Sequence, residues 1–153
     1  MSPRFESLFE QNLSREDQLK DFVVQLKPYL ENNSIILLSG ELGSGKTTTT
    51  RYLCELYSLH AVQSPTYAIH QQSKNKLIVV DHFDLYRMKN EEDLLSTGFW
   101  DFINANDSLV IIEWFEKIKD FTWLETESQR RKIYGIKISI NKLERRFEFL
   151  KMI

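Results

Sequence analysis

The sequence predicts an α/β fold: a mostly parallel central sheet flanked by helices, with an antiparallel hairpin at the C-terminus. Three observations predict it. Apolar runs rich in branched residues occur at 35–38, 77–80 and 109–112. Runs of that kind mark strands buried on both faces, as in a parallel sheet covered by helices. The first run leads into a glycine-rich loop and then a helix-length stretch without Gly or Pro, Thr47 to Leu59. Near the C-terminus Ile136, Ile138 and Ile140 alternate with Lys137 and Ser139, and Phe147 and Phe149 repeat the alternation after a five-residue turn. That is the pattern of two half-exposed strands.

Taken in order, residues 4–10 read as an edge strand. Ser14-Arg15-Glu16-Asp17 reads as a capping box with Asp17 in the closing position. Leu19, Phe22, Val23, Leu26 and Leu30 follow at helical spacing, which predicts an amphipathic helix over 15–27 that Pro28 ends or kinks. Asn32-Asn33 turn the chain into a first core strand at 34–39. Residues 67–72 suggest a short strand before a turn at 73–76. A second core strand, 77–80, runs straight into Asp81-His82-Phe83-Asp84-Leu85-Tyr86-Arg87. Asn90 reads as the N-cap of a helix opened by Glu91, Glu92 and Asp93 and broken at Gly98. Phe99, Trp100, Phe102 and Ile103 read as core. A third core strand, 108–112, ends at Glu113-Trp114. Residues 117–132 look like a polar, irregular and mobile surface connection.

The glycine-rich loop is where chemistry concentrates. Gly40-Glu41-Leu42-Gly43-Ser44-Gly45-Lys46-Thr47 fits the pattern G-x-x-x-x-G-K-[ST], the P-loop. Its glycines let the backbone turn tightly and aim several N–H groups at a phosphate. The helix start adds partial positive charge. Lys46 is expected as an exposed loop cation reaching the β- and γ-phosphates, and the Thr47 hydroxyl is a natural Mg²⁺ ligand. Thr47 to Thr50 are four β-branched residues in a row, a weak helix start that bound phosphate would help to hold. The fold class is therefore P-loop NTPase-like. Ligands of open α/β sheets sit beyond the carboxyl ends of the strands, so Asp81, Asp84 and Glu113 are all candidate acids beside a phosphate-bound metal. Directness after the apolar run favours Asp81. Strand alternation places Trp114 beside the site and not in it.

Composition narrows the options. The 153 residues have the size of one domain, without repeats or linkers, so 1–153 reads as a single P-loop domain. Net charge is −2 with no basic block, which argues against strong direct nucleic-acid binding as the main activity. The single cysteine, Cys54, excludes an internal disulfide and is expected to be structural. No stretch approaches the ~18 apolar residues of a membrane span, and Met1 to Glu6 carries no apolar leader. The sequence therefore predicts a soluble, cytoplasmic protein with no membrane association.

The P-loop, together with Ser64-Pro65-Thr66-Tyr67, His82-Phe83-Asp84-Leu85-Tyr86-Arg87 and Ile112-Glu113-Trp114, resembles the TsaE family, formerly YjeE. These are small bacterial ATPases of threonylcarbamoyladenosine formation in tRNA, beside the anticodon. The resemblance spans most of the chain, and the second and third acidic blocks are more specific than the P-loop. It implies a Mg²⁺-dependent ATPase, weak or partner-dependent, acting with TsaD and TsaB. It implies nucleotide contacts from Glu41, Leu42, Gly43, Ser44, Gly45, Lys46, Thr47, Thr48 and Asp84, metal ligation by Thr47 and Glu113, and catalytic roles for Asp84 and Glu113. Ser64, Pro65 and Thr66 would form a switch-like loop near the γ-phosphate. It selects Asp84 over Asp81. His82 could orient Asp84, and Arg87 could be a simple ion-pair partner. Glu41 departs from the family's usual Asp, and Phe115 follows Trp114 where a small residue or Pro is common. Two alternatives remain. One is a small-molecule P-loop kinase, with Asp84 or Glu113 as base and Arg87 gripping substrate; it needs a lid with several arginines, for which Arg130-Arg131 and Arg145-Arg146 could be misread, although Arg145-Arg146 falls in the expected hairpin. The other is a nucleotide-binding regulator without hydrolysis.

Overall fold

The computed structural model describes residues 3–60 and 69–153. Seven strands form one sheet: β1 (Phe5–Leu13), β2 (Ile35–Ser39), β3 (His70–Lys74), β4 (Val79–Asp84), β5 (Leu109–Glu113), β6 (Ile133–Asn141) and β7 (Glu144–Met152). Their order is β1-β7-β6-β2-β5-β4-β3. The four central strands, β6, β2, β5 and β4, are mutually parallel, and β1, β7 and β3 join antiparallel.

Helices cover both faces. Helices α1 (Glu16–Val24) and α2 (Lys46–Glu55) pack on one face over Ile36, Leu38, Val80, Leu109 and Ile111. Helices α3 (Glu91–Ser96), α4 (Phe99–Ala105) and α5 (Thr122–Glu127) pack on the other over Ile35, Leu37, Phe83, Val110 and Ile112. The division follows from the period of two in a strand: successive residues face opposite layers. The central strands are buried on both sides, hence their unbroken apolar runs.

Several expectations shift. The box that opens α1 closes one residue later, because Gln18 Oε1, not Asp17, accepts from the Ser14 and Arg15 amides at 2.8 and 3.0 Å. The helix ends at Val24, and Pro28 sits in a short 3₁₀ turn, 27–29. Asn90 caps α3 as expected, accepting from the Asp93 amide at 3.0 Å. Gly98 ends α3 but also starts α4, a helix the sequence did not suggest, because its left-handed backbone (φ 74°) reverses the chain between them. Residues 117–132 are not an irregular surface connection. They contain α5, whose Leu124 is fully buried, and Arg131, buried with its Nη1 and Nη2 donating to the carbonyls of Ile103 and Ser108 at 3.0 and 3.1 Å. The C-terminal hairpin is longer than expected and turns in two residues at Lys142-Leu143, where Lys142 takes φ 56°. Cys54 is buried, and burial pushes its thiol up to about 12, which leaves it unreactive.

Candidate nucleotide and metal site

The carboxyl ends of β2, β4 and β5 meet in a cleft of about 260 Å³ lined by Lys46, Thr47, Asp84, Tyr86, Glu113 and Trp114. Strand β2 ends at Ser39, and the chain enters the loop at Gly40. A Cβ on Gly40 would lie 2.6 Å from Ser44 Oγ and 2.9 Å from the Ile138 carbonyl, so only glycine lets the loop lie against β6. Gly45 takes φ 114° at the N-cap of α2, a conformation that L side chains resist.

Lys46 is not the exposed cation expected from the motif. It is 5% exposed. Its Nζ donates to the carbonyls of Gly40 and Glu41 at 2.6 and 2.9 Å and lies 4.4 Å from the centre of the Trp114 ring. Burial pushes its ammonium below the ordinary lysine range, against the opposing pull of Glu113, Glu116, Asp84 and Glu41. Burial likewise raises the Glu116 carboxyl. The site is thus a single lysine ringed by acids, an arrangement that suits a divalent cation bound together with an anionic ligand.

Thr47 Oγ1 donates to Glu113 Oε1 at 3.2 Å, across 66 residues of chain. The other carboxylate oxygen, Oε2, lies 2.5 Å from His82 Nε2. So His82 contacts Glu113. Asp84 lines the cleft opposite Glu113 in the β4–β5 register, and its Oδ1 accepts from the Tyr86 amide at 3.1 Å. Asp81 lies elsewhere. It belongs to the opposite face of β4 and is 1% exposed, accepting from His70 Nε2 at 2.7 Å, Gln72 Nε2 at 3.0 Å and Ser108 Oγ at 2.5 Å. Burial works to raise its carboxyl, but these bonds outweigh burial and hold it below the usual aspartate range. The strand-end reading that favoured Asp81 is therefore not followed by the geometry.

A model of the family described as "Threonylcarbamoyl adenosine biosynthesis protein TsaE" matches residues 13–147. The chain belongs to the TsaE family. It is 36% identical over 109 residues to a Rickettsia conorii protein, and 38% identical over 95 residues to a Haemophilus influenzae protein. Both relatives are named "tRNA threonylcarbamoyladenosine biosynthesis protein TsaE". The alignments cover 70% of this chain and 61% of the first relative, and 61% and 60% for the second, so the chain matches about three fifths of each. The crystal structure of the Bacillus protein YdiB superposes with a TM-score of 0.67 over all of this chain and 89% of YdiB, at 17% identity, which shows a shared fold.

Of the residues singled out on TsaE resemblance, the P-loop residues Leu42, Gly43, Gly45, Lys46, Thr47 and Thr48 line the cleft with Asp84 and Glu113. The Glu41 side is represented by its carbonyl, which binds Lys46, and Ser44 is buried. Ser64, Pro65 and Thr66 lie outside the described residues. Trp114 lines the cleft, where strand alternation put it beside the site. The reason is local: β5 stops at Glu113, and Trp114 takes a left-handed backbone (φ 60°) that turns its ring over Lys46.

Sequence reasoning missed the second flank of the loop. A cavity of about 230 Å³ lies on its other side, lined by Ser14, Arg15, Arg145 and Phe147, and it shares Gly43, Gly45 and Thr48 with the first. Arg145 Nη2 donates to the Gly43 carbonyl at 3.3 Å. The only signal was Arg145 itself, a cation in a hairpin whose nearness to the P-loop depends on β6 lying beside β2.

Proposed function

We propose that the chain is the ATP-binding and ATP-hydrolysing component of the machinery that forms threonylcarbamoyladenosine in tRNA, acting with TsaD and TsaB in the cytoplasm. The observation that carries this reading is the contact of Thr47 with Glu113 beside Lys46, in a cleft that Asp84 completes. Two hard oxygen donors of that kind fit Mg²⁺, which takes few protein ligands and fills its shell with water and phosphate oxygens. Thr47 and Glu113 would hold Mg²⁺, which supplies charge neutralisation at the phosphates. Lys46 and the loop amides bind the phosphates, and Lys46 does so by exchanging the Gly40 and Glu41 carbonyls for phosphate oxygens. Asp84, which lines the same cleft, would accept the proton of an attacking water. The cavity flanked by Ser14 and Arg145 offers room for the nucleoside.

The kinase alternative gains no support. Arg130 is bonded to both oxygens of Glu127 at 2.8 Å, Arg131 is buried, and Arg146 is paired with Glu10. Of the four arginines considered for a lid, these three are paired or buried, and Arg145 donates to the Gly43 carbonyl beside the P-loop. No described helix is long and apolar enough to cross a membrane.

The test is reconstitution with TsaD, TsaB, tRNA and ATP–Mg²⁺. The expected result is ATP consumption that TsaD–TsaB accelerates, without any phosphorylated small-molecule acceptor, and loss of tRNA modification with Glu113→Ala. Normal modification by the Glu113→Ala protein sinks the proposal.

A further inference from the structure

We infer that His82 is a positioning residue that fixes the Glu113 carboxylate for the metal, an inference that rests on the reading of Thr47 and Glu113 above. In the parallel β4–β5 ladder His82 lies opposite Ile111 and Asp84 opposite Glu113. His82 is thus the diagonal neighbour of Glu113 on the face that α2 covers. Of the other side chains on that face of β4 and β5, Val80, Leu109 and Ile111 are apolar core and Asp84 lines the cleft. A histidine there is buried, 2% exposed, and an aliphatic residue would fill the layer without burying polar atoms.

The pattern of its contacts says what the ring does. Nε2 lies 2.5 Å from Glu113 Oε2. Nδ1 is buried and, among the described residues, has no hydrogen-bond partner. A ring serving only the core's own hydrogen bonding would use both nitrogens. Here Nε2 holds a carboxylate and Nδ1 has no partner among the described residues, so the contact with Glu113 is what the ring's polar atoms do. The neutral tautomer with the proton on Nε2 suits both facts, since Nε2–H donates to Oε2 and the bare Nδ1 buries no unshared N–H. The two oxygens of Glu113 are then divided. Oε2 is pinned by His82 inside the sheet, and Oε1 is presented to Thr47 in the cleft. Without that anchor the carboxylate is free to rotate toward Lys46, whose charge it already feels. It would then no longer face the threonine. Residues that orient metal ligands in this way change metal affinity or activity by about 10- to 100-fold when lost.

The test uses the full chain with a non-hydrolysable ATP analogue, comparing wild type, His82→Leu, His82→Gln and Glu113→Gln. Calorimetry gives analogue affinity without metal and the Mg²⁺ concentration that produces half of the metal-dependent gain. The expected result for His82→Leu is metal-free affinity within about twofold of wild type and a half-saturating Mg²⁺ concentration raised about 10-fold or more. His82→Gln, which keeps an N–H donor, should recover most of that loss. In the nucleotide-free protein, imidazole ¹⁵N spectra should show His82 protonated on Nε2 and shifted by Glu113→Gln. A His82→Leu protein with the wild-type Mg²⁺ requirement, while Glu113→Gln loses it, overturns the inference and leaves the metal reading standing. If Glu113→Gln also keeps the wild-type requirement, the metal reading itself fails and takes this inference with it. Should His82→Leu not fold, His82→Gln and the spectra decide: a His82 ring indifferent to Glu113→Gln overturns the proposal.

Discussion

Asp81 and Asp84 stand three residues apart on β4 and do different work. Three is an odd number, and in a strand an odd separation means opposite faces. Asp84 shares its face with Glu113 and α2, whereas Asp81 faces the layer of α3 and α4 and is spent on His70, Gln72 and Ser108. Two outcomes should therefore separate. Asp84→Asn is expected to lower ATP hydrolysis by ~10²-fold or more in a steady-state assay. Asp81→Asn should leave hydrolysis largely intact and cost about 1–3 kcal/mol in urea unfolding, since it weakens a buried network. The second effect depends on pH. Asp81 titrates below its ordinary value in the folded chain, so its contribution is fully present above the unfolded aspartate value of ~3.9 and is lost as pH falls through the lower folded value. The stability gap between wild type and Asp81→Asn should narrow as urea melts are carried from pH 7 to below about 4. A gap that widened instead would contradict the network described here. Parity was available in the sequence and separates the two acids onto opposite faces, but the choice of Asp84 came from the family resemblance, and the β4–β5 register shows that it shares the face of Glu113. Directness after an apolar run was the weaker cue. Trp114 shows the opposite limit: alternation was applied one residue past the strand's end, where a positive φ cancels it.

At the scale of elements, the P-loop lies against β6 at Gly40, where an added Cβ finds no room. Gly40→Ala should push the loop from Ser44 and the Ile138 carbonyl. The expected loss is about 1–3 kcal/mol of stability together with weaker ATP binding, read by urea titration and calorimetry on one preparation. Unchanged values in both would mean that the loop does not depend on this approach. The long, strongly patterned elements were legible: α1, the three apolar strands, the capped α3 and the terminal hairpin all follow from periodicity and caps. The short helices α4 and α5 were not. Gly98 looked like a stop because glycine breaks helices, but its left-handed backbone served equally to begin the next one. In 117–132 the charged residues concealed α5, since Glu127 and Arg131 are buried through pairing and carbonyl contacts that no hydropathy pattern displays.

Across the whole molecule, the parallel core could be read from three apolar runs, and the convergence of their carboxyl ends gave the site. The order of strands could not, because it is decided by which faces and edges the helices leave available. That order matters for function: β6 beside β2 brings the hairpin, with Arg145, against the P-loop, and β5 beside β2 brings Glu113 to Thr47. The central claim is that this junction binds ATP–Mg²⁺ through Lys46. Calorimetric titration of the wild-type chain and of Lys46→Ala with ATP–Mg²⁺ tests it most directly, with circular dichroism confirming that the variant stays folded. A charged hydrogen bond contributes about 1.5–3 kcal/mol, so the variant should bind about 10- to 100-fold more weakly than a wild type that binds at one site. Equal affinity in a folded Lys46→Ala protein, or no binding by the wild type, would contradict the account.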